Sequence, residues 1–133
     1  LQAGGVVAFG DDLEKLIEPR KPGLAFSLGA MGSRQHNFYN AAYQRAGFQE
    51  VAQRSQALWL EGRRQEATEV IPDDMVVQTN LLGTEEMVRE RIRAYRDAGV
   101  TTLRLQPEGR TVQEQVDTLG RAIELVKQVD AER

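Results

Sequence analysis

A chain of 133 residues, 41% of them apolar, is long enough to bury one modest hydrophobic core. With 28% charged residues of both signs and a formal net charge of -3, it lacks the clustered excess of Lys and Arg that phosphate recognition requires, which argues against a nucleic-acid partner. The absence of cysteine excludes disulfides, thiolate metal sites and a cysteine nucleophile and suits a reducing cytoplasm, and no apolar run approaches the roughly 18 residues of a membrane span.

The opening residues, LQAGGVVAFG, offer neither a basic secretory leader nor an initiator methionine. They enter an apolar, strand-like run at Val6 to Phe9 almost at once, so the chain is expected to be a piece of something longer. A turn glycine follows, then Asp11 or Asp12 as N-cap, Leu13, Leu16 and Ile17 at helical spacing, and Pro19 as a stop. The stretch GLAFSLGAMG reads as helix or buried strand, its length and glycines leaving both open. Asn37 is placed to cap a helix through Phe38, Ala42 and Tyr43 that ends near Gly47. Val51, Ala52, Ser55, Leu58 and Trp59 form the stripe of the next helix, which Gly62 closes, and RRQEATEVIP predicts one more short helix before Pro72.

The last third is more regular. Thr84 caps a helix with Glu85 and Glu86 in its first turn, an apolar face of Val88, Ile92 and Tyr95, and expected ion pairs of Glu85 with Arg89 and Glu90 with Arg93. Gly99 ends it. VTTLRL alternates as a strand with Leu103 and Leu105 on one face. From about Val112 a final helix carries the stripe Val112, Val116, Leu119, Ile123 and Val126, expected to face a core. Helix, strand, helix is the cadence of an α/β protein with parallel strands. Two strands are well supported, at Val6 to Phe9 and Val100 to Leu105, with a weaker candidate near Met75 to Thr79. So few strands among so many helices leave a parallel sheet open, and it should continue elsewhere or be completed by copies of the chain.

Three segments, LGAMGSRQHNFYNAAYQRAGF, LWLEGRRQEATEVIPDDMV and LLGTEEMVRERIRAYRDAGVTTLRLQPEG, closely resemble the C-terminal part of the luciferase-like oxidoreductases that use coenzyme F-420 or FMN. The resemblance runs from about Gly4 to Val126 and is most specific in the Gly-Met-Gly-Ser-Arg run with its following Asn-Phe-Tyr. It implies a C-terminal fragment of a (β/α)8 TIM barrel of the bacterial luciferase type, helix-rich, with about two barrel strands. On that reading residues 1–133 are the last two βα units of a single barrel domain with a helical insertion between them. It implies a flavin- or F-420-dependent enzyme of the cytoplasm acting on a small organic substrate by hydride transfer or monooxygenation, with the coenzyme held mostly by the missing N-terminal part. This chain alone would then be inactive. A homo-oligomer is expected, with no nucleic-acid or membrane partner. The alternative is a stand-alone, helix-rich interaction protein without catalytic activity that completes its sheet by oligomerising.

Candidate contacts fall in two places. In LGAMGSR the glycines suggest a phosphate loop, but both GxxxxGK[ST] and GxGxxG spacing are absent. The structural alternative gives Gly29 and Gly32 to close packing or a tight turn and Ser33 and Asn37 to capping. His36, without a second histidine or any cysteine, makes a poor metal ligand and fits a solvated loop. Arg34, Asn37 and Tyr39 remain candidates for a polar substrate or an anionic coenzyme tail. Arg104, Gln106 and Glu108 have a positional argument, since residues at strand carboxyl ends face the active site of a (βα) barrel. A plain turn at Pro107 and Gly109 is the competing reading. Asp11, Asp12, Asp73 and Asp74 fit helix starts, and Met31 and Trp59 are expected to pack inside.

Overall fold

A computed structural model describes residues 1–132. The chain runs β1 (Gln2–Phe9), α1 (Leu13–Ile17), α2 (Lys21–Gly29), α3 (Phe38–Tyr43), α4 (Gln49–Leu60), α5 (Arg64–Glu69), α6 (Asp73–Gln78), β2 (Leu81–Gly83), α7 (Glu85–Asp97), β3 (Thr102–Pro107) and α8 (Val112–Ala131). Two compact units result: Leu1–Leu16 with the chain from Val77 onward, and Ile17–Val76.

The first unit is an open, all-parallel sheet in the order β2-β1-β3, with α7 and α8 on one face. This is the α/β, helix-rich class read from the sequence, with one more strand than expected. The extra strand is Leu81–Gly83, buried throughout and too short to show an alternating pattern. The weaker candidate at Met75 to Thr79 is instead largely helical, within α6. Asp73 and Asp74 in its first turn complement the positive helix end, and Met75 and Val76 are buried. In a run of consecutive barrel strands each lies beside the next, whereas here β1 sits in the middle and the connection from β2 to β3 passes it. β1 is the strand best suited to a central place, because its Val7 and Ala8 are buried and a strand paired on both sides needs apolar residues on both faces.

Val7 of β1, Leu81 of β2, Val88 and Ile92 of α7, and Ala122, Leu125 and Val129 of α8 form the core of this unit. Each large aliphatic chain so buried contributes about 1.5–3 kcal/mol. The α7 face is as expected, with Thr84 as N-cap accepting from the Met87 N–H. Of its two expected ion pairs, Glu90 with Arg93 forms, whereas Arg89 joins Glu86 and Glu85 reaches Arg121 of α8 instead. The predicted α8 stripe is a larger correction. Val112, Val116 and Ile123 are 77%, 57% and 45% exposed, and the core instead takes Ala122, Leu125 and Val129. Two stripes of helical period coexist on α8, and the one with the larger side chains is not the one that packs.

The second unit is helical. GLAFSLG folds as α2, and α4 buries Ala52, Ser55 and Leu58 as predicted. A Cβ on Gly29 would stand 2.3 Å from Trp59 Cγ, so this glycine lets α2 and α4 approach closely. Gly32 has φ +129° and would place a Cβ 2.3 Å from the His36 carbonyl oxygen, so it belongs to a tight turn. Asn37 is the N-cap of α3. Trp59 is half-buried, with Phe26 edge-on at 5.8 Å and the Arg64 guanidinium 5.0 Å from its ring. Met31, expected inside, is 40% exposed because it follows the end of α2 in the exposed turn. Lys21, its side chain only 13% exposed, bridges Glu18 and Asp73 at 2.7 and 2.8 Å.

Candidate active-site wall at the carboxyl ends of the strands

Because the sheet is parallel, the carboxyl ends of its three strands and the loops that follow lie along one rim. The Gly10 N–H donates to the Gly83 carbonyl at 3.0 Å and the Glu108 N–H to that of Val7 at 3.0 Å, which ties these strand ends together. Between the ends of β1 and β3 and the first turns of α8 lies a cavity of about 630 Å³ lined by Phe9, Leu16, Glu108, Arg110, Asp117 and Arg121. Crevices beyond the strand ends are where open parallel sheets bind ligands.

The cavity wall is held from α8. Thr118 Oγ1 donates to the Glu108 carbonyl at 2.9 Å, Gln115 Nε2 to that of Gly109 at 3.1 Å, and the Arg110 N–H to Glu114 Oε2 at 2.6 Å. Thr111 caps the helix by accepting from the Glu114 N–H. The loop from Glu108 to Thr111 is therefore positioned before any ligand arrives. Arg121 lies over one face of the Phe9 ring at 4.1 Å, and its Nε and Nη2 donate to Glu85 Oε1 at 3.1 and 3.0 Å. Among the described residues no three acidic or imidazole side chains converge as a metal cluster requires.

Of the six candidates from the sequence, Glu108 lines this cavity. Arg104 and Gln106 lie on the other face of the sheet. Leu103 and Leu105 pack toward α8, and the strand alternation sends Arg104 and Gln106 away from the helices, beside Gly4 and Val6 of β1. Both are exposed and neither side chain is engaged by another described residue. The remaining three lie in the second unit. Asn37 is 7% exposed and fully engaged: its Nδ2 donates to the carbonyls of Ser27 and Leu28 at 3.1 and 2.9 Å, and its Oδ1 accepts from the Asn40 N–H. It positions the turn and has no donor left for a ligand. Tyr39 is 45% exposed and meets Phe38 edge-on, while Arg34 lines a cavity of about 340 Å³ with Gln56, Ala57, Leu60 and Glu61. His36 is exposed, in a turn closed with Ser33.

Hydrogen-bonding capacity thus sorts the candidates, since a polar group that binds a ligand needs a donor or acceptor not already used inside the chain. Asn37 fails that condition, whereas Arg34, Tyr39, Arg104, Gln106 and, lining the cavity, Arg110 meet it. Comparison with known proteins supplies the context. Residues 2–102 match the model of a family described as luciferase-like monooxygenase. The chain belongs to that family. Over 97 residues it is 34% identical to a Mycobacterium tuberculosis protein provisionally named a coenzyme F-420-dependent oxidoreductase. The matched stretch is 73% of this chain but 28% of that relative, so the chain spans little more than a quarter of its length. No solved structure matches.

Within the family frame, the Phe9, Arg121 and Glu85 contact is the part that sequence reading missed. Phe9 could have been found by the same strand-end argument that singled out Glu108. Arg121 sits in the middle of a helix with no local signal, and only the packing of α8 against α7 brings it to the rim.

Proposed function

We propose that this chain is the C-terminal portion of a flavin- or coenzyme F-420-dependent oxidoreductase acting on a small organic molecule, and that it forms one wall of the coenzyme and substrate pocket. The parallel sheet and its helices are then its share of a single barrel domain, although the order β2-β1-β3 differs from that of consecutive barrel strands. The observation that carries this reading is the pair Arg104 and Gln106, exposed and unengaged on the sheet face turned away from α7 and α8. In a (β/α)8 barrel that face is the interior, and its last residues border the active site.

The residues present fit part of such a coenzyme. Its polar ring edge and anionic tail call for cationic and amide donors, which Arg104, Gln106 and Arg110 provide. The flat ring calls for apolar walls, and Phe9, with one face under Arg121, is the one aromatic that the cavity at the strand ends offers among the described residues. The other walls fall to residues outside this chain, and catalysis by the chain alone is not expected. When bound, the coenzyme supplies hydride transfer or oxygen activation. The part of this chain is to hold the polar edge and fix its orientation, from a strand that cannot bend and a loop pinned to α8. The cysteine-free composition accords with work in the reducing cytoplasm.

Exchanging this chain for the matching stretch of the M. tuberculosis relative gives a protein in which the assignment can be read. Gln106→Ala is expected to lower turnover about tenfold, the loss of one ligand hydrogen bond, and Asp74→Ala, at a helix start, to change it by less than about twofold. Equal rates for the two would remove Gln106 from the site.

A further inference from the structure

β1 is flanked by β2, from Val7–Leu81 to Phe9–Gly83, and by β3, from Gln2–Thr102 to Val7–Pro107. In a closed barrel of βα units each strand lies beside the next one in the chain, so β2 would stand between β1 and β3. The pairing of β1 with β3 is therefore incompatible with a closed barrel. Burial suits β2 to a place between two strands, because Leu81, Leu82 and Gly83 are all buried although β2 stands at the sheet edge. None of the six residues of β3 is buried. Beneath β3, between its Leu103 and Leu105, Ile92 and Tyr95 of α7, and Ile123 and Val126 of α8, lies a cavity of about 490 Å³. The charged Arg96, Lys127 and Asp130 share its lining, whereas a finished core is close-packed and excludes such groups. β3 is thus held to β1 by its backbone more than by packing: the Thr102 N–H donates to the Leu1 carbonyl at 3.3 Å, and the Glu108 N–H just past the strand to that of Val7 at 3.0 Å.

We infer that the pairing of β1 with β3 belongs to the chain on its own, and that when the rest of the barrel is present the sheet changes to the order β1-β2-β3, with β2 inserted between the other two. The inference rests on the barrel reading above. The exchange frees one edge of β1 for the strand that precedes it in the barrel and pairs β2 on both sides. The connections allow it. β1 and β2 are joined through the whole second unit, which lets β2 change sides, and β2 and β3 through α7, a crossover that serves adjacent strands as well as strands one apart. β3 moves with α8: Leu103 and Leu105 stay turned to the helix, so Arg104 and Gln106 keep the opposite face.

The chain contains no cysteine, so one introduced pair reports on the strand order. Gln2 and Thr102 are register partners at exposed strand starts, and strands about 4.8 Å apart bring their Cα atoms within disulfide reach. With β2 between them they stand about 9.6 Å apart, beyond the roughly 7 Å that a disulfide spans. On oxidation, Gln2→Cys with Thr102→Cys should close a bridge in the free chain and leave both thiols free in the folded M. tuberculosis relative carrying this chain in place of its matching stretch. Gly4→Ala gives a second measurement, because a Cβ there would stand 1.9 Å from the Arg104 carbonyl oxygen. It should lower the urea midpoint of the free chain more than that of the exchange protein. A free chain that does not bridge, a bridge that closes in both proteins, or equal losses from Gly4→Ala overturns the inference. Coenzyme binding separates the two readings: an exchange protein that binds neither coenzyme while its thiols stay free fails the oxidoreductase reading alone, and one that binds coenzyme with the bridge closed fails this inference alone.

Discussion

Asn40 shows how one side chain can tie together a unit built of helices alone. It is 2% exposed, its Nδ2 donates to the carbonyls of Leu28 and Ala52 at 3.0 and 2.8 Å, and its Oδ1 accepts from Gln44 Nε2 at 2.6 Å. Asn40→Leu, close in volume, would leave two buried carbonyls without that donor and should cost about 1–3 kcal/mol, read as a lower urea midpoint. An unchanged midpoint would mean that the bridge between α2 and α4 carries no stability. Gly29→Ala should also destabilise, by about 1–3 kcal/mol, because Trp59 has to move off α2. Its thermal midpoint beside wild type measures this. The neighbouring Asn37 was readable from the sequence as a cap, since a cap is a relation between residues three apart. Asn40 was not, because its partners stand twelve residues away on either side and come to it only through packing.

At the scale of elements, α7 and α8 are tied by charge as well as by their shared core. Arg93 holds Glu132 at 2.6 and 2.8 Å, and Arg96 donates to the Val129 carbonyl at 2.8 Å. The hydrogen bond from Arg93 keeps the Glu132 carboxyl below its ordinary value of 4.5, burial opposing and Arg96 adding to the effect. With the folded value lowered, this tie stabilises fully above the ordinary value and is lost as the pH falls through the lowered one. Amide protection in the last turn of α8 should therefore drop on acidification, and Glu132→Gln should remove that pH dependence; protection that stays level in the wild type would exclude the tie. Lys21 shows the opposite sign. Burial pulls its ammonium down, but Asp73 and Glu18 outweigh it and raise the net value above 10.5, so its contribution is present below that pH and lost in strong base. Caps, turn glycines and the α7 face were legible because each depends on spacing along one helix. The packed face of α8 was not. Its sequence holds two helical stripes, and which one meets a core depends on where α7 and the sheet place it, not on its periodicity.

For the molecule as a whole, the sequence showed an open parallel sheet through its shortage of strands, and the structure keeps that openness with three strands instead of two. The missed strand, Leu81–Gly83, is three buried residues whose pattern is indistinguishable from a helix turn. The strand order, with β1 in the centre, was beyond reach because it depends on pairings between segments far apart in the chain. Of the site, the strand-end rule found Arg104, Gln106 and Glu108, while the local motif in GAMGSRQHNFYN pointed to Asn37, whose hydrogen bonds are all internal. Family membership and the unengaged pair on β3 together make the central claim that this chain lines a coenzyme pocket it cannot close by itself. The direct measurement is a fluorescence titration of coenzyme F-420, and separately FMN, into the M. tuberculosis relative carrying this chain in place of its matching stretch, beside the same protein with Arg104→Ala and Gln106→Ala. The account predicts saturable binding of one of the two coenzymes, weakened about tenfold or more by the double substitution. A folded exchange protein that binds neither, or binds equally well without Arg104 and Gln106, would contradict it.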